Sequence, residues 1–235
     1  MDPLTLLLTT GLLFVGSHFL LSHPLRAPLA GRLGERGFQI VYSVIAIATF
    51  IMLVQAWRGM PAETPAWVAG NGLWAIASLL VLFASILFMG SLIGNPAFPM
   101  PVGRAQIAAQ AAPRGVFAIT RHPMMWSFAL WALAHALVVP TPGQGVLSGM
   151  IAFLALAGSA GQDAKKARLM GDAWRHWQAR TSFVPFAGQI GGRNGWADAI
   201  PRAHALLGGL VLWLVATYAH GAFGYMVAGI WRWVG

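Results

Sequence analysis

The sequence predicts an all-α fold: a polytopic membrane helical bundle of about six transmembrane helices, with both termini outside. Three observations predict it. First, 57% of the 235 residues are hydrophobic and only 9% are charged, against about 25% charged in a soluble domain. Second, the apolar residues gather in runs long enough to cross a bilayer. Third, the cations alternate from loop to loop. Thirteen of the fifteen Lys and Arg fall after the first, third and fifth spans, and only Arg58 and Arg232 lie on the other side. That is the positive-inside pattern, so the net charge of +9 marks topology and no nucleic-acid partner. Eleven Trp and thirteen Phe suit contact with membrane lipids. The chain has no Cys, which removes disulfides, thiolate nucleophiles, thiolate-held zinc and Fe–S clusters.

The elements follow in order, as one membrane domain over 1–235. Met1-Asp2-Pro3 lacks the basic residue of a signal peptide, so Leu4–Leu21 is expected to be a retained span. Gly11, Gly16 and Ser17 permit close approach of a neighbouring helix, and His23-Pro24 ends the span. A loop over His23–Arg36 carries Arg26, Arg32 and Arg36. Gly37–Trp57 is the second span and Trp67–Leu92 the third. Gly94–Ala112 is a loop with Pro96, Pro99 and Pro101. Thr120–Pro140 is the fourth span and Val146–Gly161 a short fifth. Gln162–Arg202 starts as a basic amphipathic helix with Trp174 and Trp177, a pattern suited to the membrane surface. Ala203–Trp231 is an additional C-terminal span.

Ionisable groups inside lipid are costly and mark function. All six acids, Asp2, Glu35, Glu63, Asp163, Asp172 and Asp198, fall outside the expected spans. This argues against carboxylate proton pumping and a carboxylate-bridged metal pair. His18, His122, His135, His204 and His220 fall inside or at span ends, while His23 and His176 lie in polar segments. A buried imidazole needs a hydrogen bond, a metal or a cofactor iron. Several histidines in one small bundle without acids favour ligation. Zinc wants three or four ligands, whereas haem needs one or two and suits a Trp- and Phe-rich bundle.

Helical phase sorts them. His122 and His135 lie about 220° apart around one helix and should not share a site. Ala132, one turn before His135, is small enough to leave room beside it. By depth, His135 matches His220 and His18 matches His204. A His18–His135 pair would span a height difference of roughly 15 Å, narrowed because the two side chains lean towards each other.

In chain order stand Gly16-Ser17-His18, Leu25-Arg26, Gly34, Tyr42-Ser43, Thr120-Arg121-His122-Pro123, Trp126, Leu133-Ala134-His135, Trp174 and Thr181-Ser182 before Pro185. This series resembles the NnrU family over about residues 5–190. The resemblance implies two settings. Bacterial members are linked to nitrite and nitric oxide metabolism in denitrification. Plant relatives are 15-cis-ζ-carotene isomerases, membrane proteins whose b-type haem supports redox-dependent cis–trans isomerisation of a polyene. It implies haem b as cofactor, His18 and His135 as its axial ligands, a carotenoid-like substrate, a redox partner, and the bacterial inner membrane as location. The plant pattern has Cys where this chain has Ala132, so ligand exchange through sulfur is absent. Arg121 is expected to meet a haem propionate or to anchor the basic face, and His122 to cap its helix ahead of Pro123.

Arg121-His122-Pro123, a Trp-bearing basic helix and Thr181-Ser182-x-x-Pro185 also resemble phospholipid and isoprenylcysteine methyltransferases, which bind S-adenosylmethionine. That pattern has a Tyr and a Glu pair where this chain has Met124-Met125 and Gln162-Asp163. A shared fold is therefore expected without the shared chemistry.

Overall fold

The computed structural model describes residues 1–98 and 100–234. Asp2 opens the first helix, α1 (Pro3–Ser22), by accepting the Thr5 amide at 3.0 Å ahead of Pro3 at the first position. The Thr5 hydroxyl, then its amide, hold the Asp2 carboxyl below its ordinary value. His23 ends the helix, as the following proline predicts.

The expected loop over His23–Arg36 is instead helical. The helix α2 runs Arg26–Arg58 and bends at Gly34, where φ is 70° and ψ is 166°. Glycine alone reaches that conformation without strain, so one continuous run makes an interfacial turn and then a span. An ion pair from Arg26 to Glu35 at 2.9 Å bridges the bend.

The helix α3 (Asn71–Ser91) is shorter than expected, and α4 (Val102–Gln110) occupies part of the expected proline loop. Pro99 of that loop lies outside the described residues. A short α5 (Val116–Ile119) leads into α6 (Pro123–Val138). At 16 residues, α6 rises only about 24 Å, less than a ~30 Å hydrocarbon core. Five helices, α1, α2, α3, α7 (Pro142–Met170) and α10 (Ala203–Ala222), are long and apolar enough to cross a membrane. Between the last two lie α8 (Asp172–Arg180), α9 (Ala187–Ile190) and a 3₁₀ turn at Ala197–Ala199. The short helix α11 (Trp231–Val234) follows α10.

Two boundaries differ from the sequence reading for a physical reason. The expected fifth span and the start of the basic stretch form one helix, α7, with no breaker before Gly171 (φ 59°). Its 29 residues rise about 44 Å, so its basic end projects beyond the hydrocarbon. The remainder, α8, turns Trp174 and Trp177 inward. Both are buried against Ala105, Ala109 and Met170 rather than laid on a membrane surface. The last span stops at Ala222 instead of Trp231, where the chain turns through Phe223 and Gly224.

The long helices pack in the sequence α2, α1, α7, α6, α3, α10, each against the next. Leu7, Phe14 and Val15 of α1 meet Leu53 of α2 and Leu147 of α7 in one core. Leu87 of α3 meets Ile119 and Ala205 in another. Trp57 of α2 lies 6.5 Å from Tyr225, just beyond α10, so the two ends of the series approach each other at this end of the bundle. There Glu63 also accepts the Gly143 amide at 2.9 Å, tying an interhelical loop to the start of α7.

Glycine decides the close crossings. A Cβ at Gly11 would meet Met150 of α7 at 2.9 Å, as expected of a small residue in a helix interface, but one at Gly16 would meet nothing within 4 Å. At Gly209 a Cβ would fall 2.7 Å from the Ile86 backbone. Gly209→Ala is therefore expected to cost about 1–3 kcal/mol by forcing α3 and α10 apart. Gly16→Ala is expected to cost almost nothing. Thermal unfolding of the two variants in detergent checks this contrast.

Candidate functional site

His18 lies on the buried side of α1, half-buried between α1 and α2. Its Nδ1 is 2.7 Å from the Phe14 carbonyl oxygen. A carbonyl only accepts, so in the neutral ring Nδ1 carries the proton and Nε2 keeps its lone pair. Phe14 stands edge-on at 4.6 Å between centroids and Tyr42 of α2 at 5.6 Å. His135, on α6, repeats the arrangement. Its Nδ1 is 2.8 Å from the Trp131 carbonyl oxygen, and the Trp131 ring lies 3.9 Å away. A metal-bound imidazole commonly donates its second N–H to a carbonyl in this way, which fixes the tautomer and the ring direction.

The structure does not bring the two imidazoles onto a common helix interface. Helix α7 packs between α1 and α6. His135 lies beside His220 of α10, with centroids 6.0 Å apart, the neighbour that depth matching favours. His220 in turn meets Tyr225 at 6.3 Å, and its Nδ1 is buried without a partner among the described residues. Ala132 is 1% exposed, so protein already fills the space expected beside His135. His204, His23 and His176 are exposed.

An aromatic stripe on α2 touches both groups. Phe38, Tyr42, Phe50 and Trp57 share one side of that helix, which rises about 28 Å between the first and last of them. Phe50 meets Phe14 at 5.6 Å, beside His18, and Trp57 meets Tyr225, beside His220. No trio of His, Asp and Glu is placed to hold a metal ion among the described residues. A haem asks less, one or two imidazoles in apolar surroundings. His18 and His135 each offer one such ligand through a free Nε2 lone pair, on opposite sides of α7.

The charged tetrapeptide before α6 has a different role. His122 stands at the N-cap position ahead of Pro123, but its side chain makes no cap bond. Its Nε2 meets Asp163 Oδ1 at 2.8 Å instead. Arg121 donates from Nε and Nη2 to Asp163 Oδ2, at 2.9 and 2.7 Å. The anion expected opposite Arg121 is thus supplied by the chain itself. Arg121 N donates to the Ser182 carbonyl at 2.8 Å, while Thr120 Oγ1 and Trp126 Nε1 donate to that of Phe183 at 2.6 and 2.8 Å. The two sequence motifs Thr120–Pro123 and Thr181–Ser182 therefore form one knot.

Sequence reasoning missed Asp163. Its signal was the buried small-residue stripe Ala155, Ser159, Asp163, one residue per turn along α7. Lys166, one residue short of the next turn, donates to the carbonyls of Pro96 and Phe98 at 3.0 and 3.1 Å. A cavity of about 20 Å³ beside His122, lined also by Asn95, Met125 and Gln162, has room for one water. A nucleoside cofactor needs a pocket of about 300 Å³ or more.

The chain is 28% identical over 183 residues to the chloroplastic 15-cis-zeta-carotene isomerase of Arabidopsis thaliana, covering 69% of this chain and 44% of that one. It is 23% identical over 167 residues to the corresponding Zea mays protein, covering 68% and 44%. The chain thus spans less than half the length of these curated relatives. No solved structure matches it. The model of the family described as NnrU protein matches residues 6–228, nearly the whole chain, and the protein belongs to the NnrU family.

Proposed function

We propose that this protein is a haem-b-binding membrane isomerase acting on a carotenoid-like polyene, in the cytoplasmic membrane of a bacterium. One observation carries the reading: His18 and His135 each commit Nδ1 to a backbone carbonyl and leave Nε2 free among aromatic rings. Similarity to two carotene isomerases supports the substrate class. Either imidazole would hold a haem iron through Nε2, His18 between α1 and α2 and His135 beside His220, since α7 packs between their helices. A haem held there would supply a Lewis-acidic, redox-active iron able to lower the barrier to rotation about one C=C. Phe14, Tyr42, Phe50 and Trp131 supply flat apolar walls against which an extended polyene packs, and the lipid-facing bundle excludes water. Arg121 and His122 hold the start of α6 through Asp163 and so fix the helix that carries His135.

Purified protein reconstituted with hemin is expected to give a low-spin Soret spectrum. Reduced in the dark, it is expected to isomerise 15-cis-ζ-carotene. Absence of both overturns the proposal. The haem spectrum without isomerisation assigns the protein instead to electron transfer in nitrogen-oxide metabolism, through a redox partner. The methyltransferase alternative has no support from the cavity at His122. Calorimetry with S-adenosylmethionine is expected to give no binding heat.

A further inference from the structure

The end of the bundle opposite the basic face carries two cations, Arg58 and Arg232. Around the second, the chain builds an open groove. Beyond α10 the backbone turns at Gly229 (φ 61°), where a Cβ would fall 2.6 Å from Thr217 Oγ1. Only glycine lets the return segment lie this close to α10. Trp231 Nε1 then donates to the Leu214 carbonyl and Thr217 Oγ1, each at 3.2 Å. This pins the start of α11 and carries Arg232 across to α3. The Arg232 guanidinium carbon sits 4.5 Å from the centroid of the Trp74 ring.

Between these parts lies an open groove of about 410 Å³ lined by Asn71, Val227, Trp231, Arg232 and Trp233. Among the described residues its charge is one-sided. Arg232 makes no ion pair with a carboxylate among the described residues. Its Nε is buried and has no acceptor among them. Asn71 opens α3, whose N-cap, Gly70, offers no side-chain acceptor to the first-turn amides. A full positive charge and the positive end of a 21-residue helix thus face one space. Stacking on Trp74 sets the plane of the guanidinium while leaving its edge for hydrogen bonds. A planar fork of N–H donors matches the oxygens of a phosphate group. The Trp231 and Trp233 rings suit the headgroup depth of a membrane.

We infer that this groove binds a phosphate-class oxyanion, whether the phosphodiester of a phospholipid headgroup or free phosphate. Arg232 is the principal ligand and the start of α3 the second. The site lies outside the His18 and His135 groups and stands independently of the proposed isomerase activity.

Native mass spectrometry of the full chain in detergent tests it, with phosphatidylglycerol and inorganic phosphate as probes. Saturable binding of one probe is expected. Arg232→Gln should weaken it about tenfold or more, the effect of losing a charge-assisted contact. Arg58→Gln, which alters the other cation at that end, should leave it unchanged. Displacement of lipid by excess phosphate assigns the site to the free anion, and retention assigns it to the headgroup. Val227→Trp fills the groove with Arg232 in place and should abolish binding, which decides the matter if Arg232→Gln does not fold. Wild-type protein that binds neither probe overturns the inference, as does unchanged binding in both groove variants.

Discussion

Asp163→Ala is expected to lower the thermal midpoint of the purified protein by on the order of 10 °C. Its carboxylate is the shared acceptor for Arg121 and His122, and the three side chains are 11%, 13% and 1% exposed. Removing it leaves a guanidinium beside an imidazole with no counter-charge. Breaking a buried ion pair from one side costs about 3–5 kcal/mol, because the surviving charge stays desolvated. The loss should spread to the Thr181–Phe183 segment, whose carbonyls hold the same turn. Replacing all three together by apolar residues, Arg121→Met, His122→Leu and Asp163→Leu, should recover most of the loss, since no buried charge is then orphaned. Thermal unfolding of the single and triple variants checks this. Equal destabilisation in both would show that the acid is not the source.

His135→Ala and His18→Ala are each expected to abolish the low-spin haem spectrum and to reduce polyene isomerisation by at least about 100-fold, beyond what loss of an outer-shell partner costs. Each removes an imidazole whose Nε2 lone pair is uncommitted. The exposed histidine His176 serves as a control, and His176→Ala should leave spectrum and activity unchanged. His220→Ala discriminates further, because His220 is the imidazole that lies next to His135, 6.0 Å away between centroids. Loss of the low-spin bands with His220→Ala and their survival with His18→Ala would reassign the second ligand to α10. Electron paramagnetic resonance of the ferric protein reads this change without relying on activity.

Helical phase around α6 was legible from spacing alone. His122 faces Asp163 of α7, and His135 faces His220 of α10, as a rotation of about 220° requires. The solvated positions of His23 and His176 also followed from their polar surroundings. The bend at Gly34 was not legible, because a glycine among arginines reads equally well as a loop. The continuity of α7 was hidden for a related reason. The change from apolar to basic at Gln162 marks where the helix leaves the hydrocarbon, and hydropathy cannot distinguish that from where it ends. Trp174 and Trp177 have the spacing of a membrane-facing stripe, yet α4 covers them.

By itself the sequence determined the all-helical membrane class, the gathering of cations at one end of the bundle and the family. Each of the three rests on composition or on local order along the chain, which do not depend on how the helices are arranged. The tertiary structure alone decided the partners. It set Asp163 between Arg121 and His122, joined two distant motifs into one knot, placed α7 between the helices of His18 and His135, and brought Arg232 to the start of α3. Those pairings join residues from different helices, tens to well over a hundred positions apart, and depend on which helix faces meet. Small residues at crossings such as Gly11 and Gly209 set those faces, and the local sequence can mark such a residue without naming the helix that meets it.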